Sequence, residues 1–462
     1  MRGYLTVFLA MSLSVLTGFI LLLAGGAIRN EEKVRLECAL DTGMNAVLSE
    51  YHIGLFERYG LLYVDASYLG RAPAISNVEE RLMFYLRENT EKTLEGEHTP
   101  WGNLHIKKVQ IPCFKTAAAN RGASMRNQAV CYVEDVGMKE QEKEAFLHIE
   151  EIRALEDNDP ITEWNDIMEQ LAGIELPRIL NEKGIWEEVP LSNPADWVFG
   201  LINSDILYLA GIEPQNINPA HVSLEDYISH RQIENINSDD QREKNDTELF
   251  ASYLFHQMGC LKGARESSLL TCQLEYLVQG KDSDLENVRG VAEKLMRWRF
   301  SDNLSRAISD GDLRAQAMDA AEKLQAVQLK EALRDPVAES ILYACAFLES
   351  IGDIQSLYNG GRVPVRKTGH QMSVNQVLHG NFCATNSSSG LTYEQYLACM
   401  LLLTEDDILN LRAMDLMEMD IRYSDGNHNF AMDWCIERYE ATVIVKSGFG
   451  INLSLRRKYG YF

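Results

Sequence analysis

Residues 4–28 read YLTVFLAMSLSVLTGFILLLAGGAI, a run of 25 residues without a charged side chain. About 20 apolar residues suffice to cross the hydrocarbon core of a bilayer as a helix. A cleaved signal peptide is the alternative, with Ala24-Gly25-Gly26-Ala27 as the peptidase site. Signal peptides, however, have a basic n-region and a shorter apolar core of about 7–15 residues. Because only the short tail 1–3 precedes this run, we expect a retained transmembrane helix over 4–28.

The apolar pattern continues beyond the predicted membrane segment. Apolar residues recur at spacings of three and four, at Leu36, Leu40, Met44, Val47, Leu48, Tyr51, Leu55 and Tyr59. This period indicates one apolar helix face, and no proline interrupts it. We therefore predict an amphipathic helix over 29–58 that continues the membrane helix, about 80 Å in all at 1.5 Å per residue. Either the chain's own domain or an assembly partner must cover so apolar a stripe.

The composition is that of a folded, acidic domain. Among 462 residues, 46% are hydrophobic and 24% are charged, which is ordinary for globular proteins and allows a sizeable core. The formal net charge is −24, and a field of that sign repels phosphate backbones, so we expect no nucleic-acid partner. Nine cysteines occur without a C-x-x-C pair, which disfavours zinc ribbons and thioredoxin-like motifs.

The rest of the chain shows mostly helical patterns. Two capping boxes, in which an acid or amide follows a hydroxyl by three residues, predict helices that start at Ser76 and Thr392. Further helices are predicted over 285–300, over 312–334 (ending before Pro336), over 338–351 in the core, and from Thr404 through Leu416.

Strand patterns lie near both ends of the soluble region. β-Branched and aromatic residues mark the segments 105–111, 430–436 and 439–445, and a turn at 448–450 leads into 451–455. The last three segments predict an antiparallel C-terminal sheet. We therefore expect an α+β fold, in which the long N-terminal transmembrane helix continues into a mostly helical soluble domain that carries this sheet.

A polar stretch divides the soluble region. Residues 234–247 contain one aliphatic side chain in fourteen, too few to offset the entropy of ordering them. We predict a polar linker or loop over 213–247. It separates a first part of the soluble domain, 59–212, from a second part, 248–462, which contains the C-terminal strands.

Familiar catalytic motifs do not occur in the sequence. There is no P-loop, HExxH, G-x-S-x-G or dinucleotide-binding glycine motif. The one Glu-x-x-His motif, Glu95 to His98, has no partner motif of the kind a di-iron bundle needs. Asp415, Glu418 and Asp420 cluster on a predicted helix, where Asp415 and Glu418 share a face. Such carboxylates can bind a cation or act as acid and base; the alternative is a solvated helix face.

Two further segments offer weaker candidates. The segment from Gly360 to Lys367 combines a glycine turn with three basic residues, which suits an anion nest. The alternative is a turn whose basic residues pair with the domain's own acids. His379 and Cys383 flank a Gly-Asn loop, and a Cys–His nucleophile pair would need them close in space. None of these is specific enough for an enzyme, so we predict no catalytic, metal-binding or cofactor-binding residue and no cofactor.

Several blocks of sequence together resemble a bacterial family. They are Gly3–Leu9, Glu50–Tyr68, Leu274–Asn287, Ala346–Asp353, Gly360–Pro364, Leu391–Leu397 and Arg412–Leu416. The family is uncharacterised, and its members are single-pass membrane proteins usually encoded beside the assembly genes of tight-adherence (Flp-type) type IV pili. The blocks cover most of the chain apart from about 110–245.

The resemblance implies an extracytoplasmic domain tied to a pilus or surface-secretion system and akin in plan to minor pseudopilins. Flp-type pilins usually carry a glutamate five residues after the prepilin cleavage point, whereas cleavage after Gly3 would put Phe8 there. An unprocessed, membrane-anchored assembly factor therefore fits better than a filament subunit. The resemblance suggests no catalytic residues.

We accordingly expect a non-enzymatic, single-pass protein of the cytoplasmic membrane with its C-terminal domain outside the cytoplasm. Basic residues flank the membrane segment on both sides, so its orientation rests mainly on the resemblance. The expected partners are the membrane, through residues 4–28, and pilus assembly proteins. The alternatives are an anchored ectodomain that binds a ligand or polysaccharide, through Gly360–Lys367, and, less favoured, a surface hydrolase.

Overall fold

The computed structural model describes residues 2–68, 70–90, 104–233, 246–264, 268–369, 371–380, 389–447, 450 and 452–461. The chain divides into two compact units. Unit 1 consists of Met1–Cys131, Asp226–Asn245 and Met414–Phe462, and unit 2 consists of Tyr132–Glu225 and Asp246–Ala413.

Helices dominate the described residues. In chain order they are α1 (Arg2–Leu48), α2 (Ile53–Tyr59), α3 (Ile75–Thr90), α4 (Ala119–Val136), α5 (Glu140–Phe146), α6 (Ile149–Glu156), α7 (Pro160–Gly173), α8 (Asp196–Gly200), α9 (Ile206–Leu209), α10 (Thr247–Gln257), α11 (Gln273–Gln279), α12 (Asp284–Ser309), α13 (Gly311–Glu322), α14 (Gln325–Leu329), α15 (Arg334–Tyr358), α16 (Val374–His379), α17 (Tyr393–Leu403) and α18 (Asp406–Asp425). The strands are β1 (Val64–Asp65), β2 (His105–Thr116), β3 (Arg178–Leu180), β4 (Trp186–Glu188), β5 (Cys435–Lys446) and β6 (Asn452–Gly460).

The sheet of unit 1 is antiparallel and centred on β5. Strand β2 pairs along one edge of β5, while β6 and the short β1 pair along the other. The expected α+β fold with a C-terminal antiparallel sheet is thereby confirmed. The predicted strands at 105–111, 439–445 and 451–455 lie within or overlap β2, β5 and β6, although residues 448, 449 and 451 of the predicted turn and strand are outside the described residues.

The predicted strand at 430–436 is mostly wrong. A 3-10 turn, Met432–Trp434, occupies its middle, and only its last two residues belong to β5. The backbone N–H of Met432 donates to the Glu418 carboxylate at 2.7 Å, and that of Trp434 donates to the Ala431 carbonyl at 3.0 Å. These donors are satisfied outside a strand ladder, which a pattern of alternating side chains does not reveal.

Helix α1 is long but ends before the predicted position. The apolar period runs on to Tyr59, yet the backbone breaks after Leu48. The Ser49 hydroxyl donates to the Asn45 carbonyl at 2.8 Å, and His52 is extended and accepts the Leu55 N–H, which caps α2. The prediction of one continuous helix to residue 58 is therefore wrong, because a short break separates α1 from α2. The His52 side chain caps α2, which continues the same apolar spacing.

The two halves of α1 have opposite surroundings within unit 1. Residues 4–24 are exposed throughout, whereas Leu40, Met44 and Val47 are fully buried. Their cover is the unit's own core, with Leu82 and Leu86 of α3 and the apolar face of β5. Among the described residues, α1 is one helix long and apolar enough to cross a membrane. Of the two covers that the sequence left open for this apolar face, the structure shows the chain's own domain.

Unit 2 is built mainly of helices around α12 and α15. Most residues of α15 are buried, which confirms the predicted core helix at 338–351. The predicted helix over 312–334 is interrupted after Glu322, and Pro336 lies in the first turn of α15 rather than beyond a helix end. Proline is tolerated there because first-turn N–H groups have no partner within the helix.

The two predicted capping boxes differ in outcome. Thr392 caps α17 and forms the complete box with Gln395, as predicted. Ser76, in contrast, lies inside α3, which begins at Ile75. The helix predicted from Thr404 begins at Asp406 and runs to Asp425, beyond the predicted end.

The predicted linker over 213–247 contains buried residues, a stretch outside the described residues, and the start of a helix. Ile217 in unit 2 and Ile228 in unit 1 are buried. Residues 234–245 lie outside the described residues, as does the Glu-x-x-His motif at 95–98. Asp246 is the N-cap of α10, accepting the Leu249 N–H at 3.0 Å.

Candidate functional site

A cleft of about 670 Å³ opens in unit 1. Its walls come from the turn between α1 and α2, from β1 and the turn after it, from α3, and from the last residue of α18. Clefts of this size with a few convergent polar groups are the usual place for a ligand site. Its residues 50–68 coincide with the longest block of the resemblance noted in the sequence.

His52 lines the cleft, and its hydrogen bonding is that of a neutral imidazole. Its Nδ1 accepts the Leu55 N–H at 3.1 Å, so the ring proton resides on Nε2. Nε2 lies 3.7 Å from the Asp425 Oδ2. Burial lowers the pKa of His52, and the nearby carboxylates of Asp65 and Asp425 only partly oppose this effect.

Asp65 lies beside His52 on β1 and is buried. Its Oδ1 accepts the Ser67 N–H at 2.8 Å, and its Oδ2 accepts the Ser67 hydroxyl at 2.5 Å and the Asn427 amide at 3.0 Å. Burial raises the pKa of Asp65, against the lowering effect of these hydrogen bonds. Within the described chain, no lysine or arginine forms an ion pair with it.

Asp425 closes the cleft from the C-terminal end of α18. Its Oδ1 accepts a hydrogen bond from the Ser424 hydroxyl at 2.9 Å. Among the described residues, its ion-pair contact is with His52, at the long distance of 3.7 Å. A glycine makes this position accessible, since a Cβ at Gly54 would lie 2.6 Å from Oδ2. The carboxylate is one-third exposed, at 34%. It is thus presented to the cleft without a cation of its own.

The two arginines of the cleft each have a carboxylate partner. Arg81 Nε donates to Glu50 Oε1 at 2.7 Å, and the Tyr85 hydroxyl reaches the same oxygen at 2.5 Å. Arg71 pairs with Glu80 at 3.2 Å. Glu50 and Arg81 hold the wall of the cleft together, whereas Arg71 and Glu80 form an exposed and weak pair at its rim.

Tyr68 contributes an unusual side chain to the cleft. Its backbone φ is +40°, a left-handed conformation that a bulky residue rarely adopts. Its phenol oxygen is buried and has no hydrogen-bond partner among the described residues. A strained backbone and an unsatisfied hydroxyl in one residue are more typical of a functional site than of a core.

The three acidic residues predicted on α18 are not a site. Asp415 accepts the Ser229 N–H at 2.9 Å, Glu418 binds both terminal nitrogens of Arg231 at 2.6 and 2.7 Å, and Asp420 accepts the Tyr59 hydroxyl at 2.5 Å. All three are buried, so the expected solvated helix face is wrong. Their oxygens are engaged separately rather than as a pair.

A second cleft of unit 1, about 470 Å³, lies over this network. Its guanidinium groups, Arg231 and Arg422, both contact Glu418, at 2.6 and 3.3 Å. These cations are therefore already committed to a buried carboxylate.

The basic segment from Gly360 to Lys367 in unit 2 is a turn whose basic residues are paired within the fold. Lys367 Nζ lies 2.6 Å from both Glu349 and Asp353. Arg366 contacts Asp302 at 3.4 Å, and Arg362 donates to the Gly390 carbonyl at 3.1 Å. The basic residues pair with the unit's own acids and carbonyls, so the structure favours the turn over the anion nest.

The proposed Cys–His pair cannot be placed in the structure. His379 ends α16, and its Nδ1 lies 2.9 Å from the Asn375 carbonyl. Cys383 lies outside the described residues. The described part of the chain contains no group of His, Cys, Asp and Glu suited to a metal ion.

Sequence reasoning missed the centre of the buried network in unit 2. Arg299 is fully buried and contacts Asp353 at 3.0 Å and Asp302 at 3.1 Å. Its Nη1 also donates to the Pro364 and Val365 carbonyls. An arginine between Trp298 and Phe300 was the available signal, because a cation in such an apolar stretch needs a buried partner.

A comparison with protein-family models assigns the chain to a family. A family of unknown function, DUF5702, matches residues 184–447, more than half of the chain. The chain belongs to this family. Neither the curated proteins nor the solved structures contain a match to it.

The DUF5702 match includes the buried network of unit 2 and only part of the cleft of unit 1. It contains Arg299, Asp353 and Lys367 of the buried network, and it contains Asp425. His52, Asp65 and Tyr68 of the cleft precede it. The family's description names neither a pilus nor an activity, so the connection to tight adherence stays a matter of the sequence resemblance.

Proposed function

We propose that the chain is a non-enzymatic, membrane-anchored protein whose folded part lies outside the cytoplasmic membrane and takes part in tight-adherence pilus assembly or surface attachment. The observation that carries this proposal is α1. It is one unbroken helix of 47 residues that is exposed at one end and part of the core of unit 1 at the other.

The continuity of α1 gives the anchor a mechanical role. Burial begins at Glu32, whose carboxylate accepts the Ser447 hydroxyl at 2.6 Å. Only a few residues separate this contact from the end of the apolar run at Ile28. Because no flexible linker intervenes, a bilayer around 4–28 would hold unit 1 directly at the membrane surface.

The plan of unit 1 supports the pilus part of the proposal. A protruding apolar half-helix whose other half packs on an antiparallel sheet is the plan of pseudopilins, to which the sequence resemblance points. Phe8, in place of the glutamate usual in Flp-type pilins, favours an anchored factor over a filament subunit. The non-enzymatic part is supported by Asp415, Glu418 and Lys367, whose charged groups are engaged within the fold.

Topology is tested on intact protoplasts of the source bacterium. External protease should digest the chain after residue 60 while a cytoplasmic marker protein survives. If the domain resists until the cells are lysed, the orientation is reversed and the proposal fails.

The pilus role is tested by deleting the gene and counting surface pili by electron microscopy. We expect pili to be lost and to return with the wild-type gene. A Glu57→Gln copy, altered at an exposed position of α2, should restore them equally well. Normal pilus numbers in the deletion strain would contradict the role in assembly.

A second candidate function, an anchored ligand-binding ectodomain, is favoured by one specific observation. The cleft of about 670 Å³ contains Asp65 and Asp425, two carboxylates without a cationic partner among the described residues. This candidate moves the binding site from Gly360–Lys367, as expected from sequence, to unit 1.

A further inference from the structure

We infer that the cleft of unit 1 binds an organic cation, an ammonium or guanidinium group on an apolar stem. The inference rests on the ligand-binding candidate function and is independent of the pilus proposal. It is carried by the charges of the cleft, by its aromatic lining and by the glycine that opens it.

The charges of the cleft do not balance. Four carboxylates line it, and two guanidinium groups neutralise Glu50 and Glu80. His52 is neutral because its Nδ1 serves as a hydrogen-bond acceptor. Among the described residues, Asp65 and Asp425 therefore remain as the two carboxylates of the cleft without a cation, and both lie close enough to the imidazole to influence its pKa.

This excess selects the sign of the ligand. Two like charges in a partly buried place repel each other, and the repulsion is stronger than in water because the local dielectric is lower. A bound cation relieves it, an anion increases it, and a neutral sugar leaves it unchanged. The net charge of the chain, −24, draws cations towards the protein in the same way.

The lining also suits the stem and the charge of such a ligand. Tyr51, Tyr68 and Phe84 face the cleft, and aromatic faces attract cations as well as apolar chains. Free amines and lysine side chains of a partner protein share this chemistry.

Gly54 gives the inference a steric test. A Cβ there would lie 2.6 Å from Asp425 Oδ2, so alanine forces the carboxylate to move. Gly54 lies in α2 and its φ is not in the left-handed region, so alanine fits the backbone and is the better helix former. Gly54→Ala thus displaces the carboxylate without removing it.

The experiment is calorimetric titration of the full chain in nanodiscs with three probes. They are cadaverine, N-acetyl-lysine methylamide and its uncharged counterpart N-acetyl-norleucine methylamide. We expect the two amines to bind and the norleucine compound not to. Asp425→Asn and Gly54→Ala should each weaken amine binding about tenfold or more, the usual size of one charged hydrogen bond. Glu57→Gln, the same change of charge outside the cleft, should leave it within about twofold.

The outcomes separate the possibilities. Equal binding of both amines assigns the site to the ammonium group alone, and binding of only the lysine compound assigns it to a protein side chain. Equal affinity for the norleucine compound, or amine binding that survives both cleft variants, overturns the inference. If a panel of neutral saccharides binds in an Asp425-dependent manner and the amines do not, the cleft is a ligand site and only the cation is wrong.

Discussion

Buried charges in unit 2 and charges in the cleft of unit 1 are arranged on opposite principles. In unit 2, Asp353 contacts Arg299 at 3.0 Å and Lys367 at 2.6 Å, and Lys367 also reaches Glu349 at 2.6 Å. In the cleft, Asp425 has a neutral imidazole at 3.7 Å as its described ion-pair contact. The carboxylates of the first group have cationic partners within the fold, whereas Asp425 has no lysine or arginine partner among the described residues.

The difference teaches which charges serve the fold. Removing one partner of a buried pair leaves the other uncompensated, which destabilises a protein strongly. Removing a charge that has no cationic partner has little effect or relieves repulsion. We therefore expect Asp425, which Gly54 leaves room for, to serve an external partner rather than the fold.

The largest expected effect is in the unit 2 network. Asp353→Ala leaves Arg299 and Lys367 without their shared carboxylate and should lower the free energy of unfolding by about 3–5 kcal/mol. The measure is urea denaturation of the full chain in nanodiscs. Asp319→Ala, which breaks an exposed pair with Lys323, is the control and should cost less than about 1 kcal/mol. Equal losses in the two variants would show that the buried network of unit 2 contributes no more to stability than an exposed ion pair does.

A second prediction extends the contrast to the apolar residues of α1. Leu40 is fully buried, and Leu16 is 58% exposed on the same helix. Leu40→Ala should lower the free energy of unfolding by about 2–5 kcal/mol, because it removes packing and leaves a cavity. Leu16→Ala should leave it unchanged. Loss of stability from Leu16→Ala, with none from Leu40→Ala, would show that the core has been assigned to the wrong half.

A third prediction concerns Glu275, a buried carboxyl of unit 2 that has no ion pair with a lysine or arginine among the described residues. Its Oε1 accepts the Tyr393 hydroxyl at 2.6 Å and the Leu261 N–H at 2.9 Å, and its Oε2 has no partner among the described residues. Burial raises its pKa from 4.5 to about 7. The folded state therefore binds a proton more tightly than the unfolded state does. The resulting stabilisation is complete below pH 4.5 and is lost as the pH rises to about 7.

The expected size is about 3 kcal/mol, since each pKa unit is about 1.4 kcal/mol. Glu275→Gln should remove this slope, so that the variant gains stability relative to the wild type between pH 5 and pH 8. The midpoints of urea denaturation at pH 5 and pH 8 measure this gain in stability, and Glu339→Gln, at an exposed position, is the control. An unchanged slope in Glu275→Gln would mean that the carboxyl is ionised in the fold.

The sequence predicted those elements whose signals are local. The run 4–28, the strand pattern at 439–445 and the capping box at Thr392 each lie within a few residues of chain, and the structure has a helix or strand at each. The break after Leu48 was missed because the apolar period continues across it. Local patterns report which face is buried and do not report where a backbone cap interrupts a helix.

The candidate site was harder to predict because its residues meet across long separations. Asp65 and Asn427 are 362 residues apart, and Arg231 and Glu418 are 187 apart. The carboxylates of α18 looked solvated because their partners were not visible beside them. The resemblance block over 50–68 did contain His52, Asp65 and Tyr68, but nothing in one sequence brought Asp425 to them.

The most direct test of the account is the unfolding temperature of Asp425→Asn, measured with and without N-acetyl-lysine methylamide. Without the ligand, the account predicts the same Tm as for the wild type, or a slightly higher one. With the ligand, only the wild type should gain in Tm, because a ligand that binds the folded state stabilises it. A fall in Tm for Asp425→Asn without the ligand, or an equal gain in both proteins with it, would show that Asp425 serves the fold and not a bound cation.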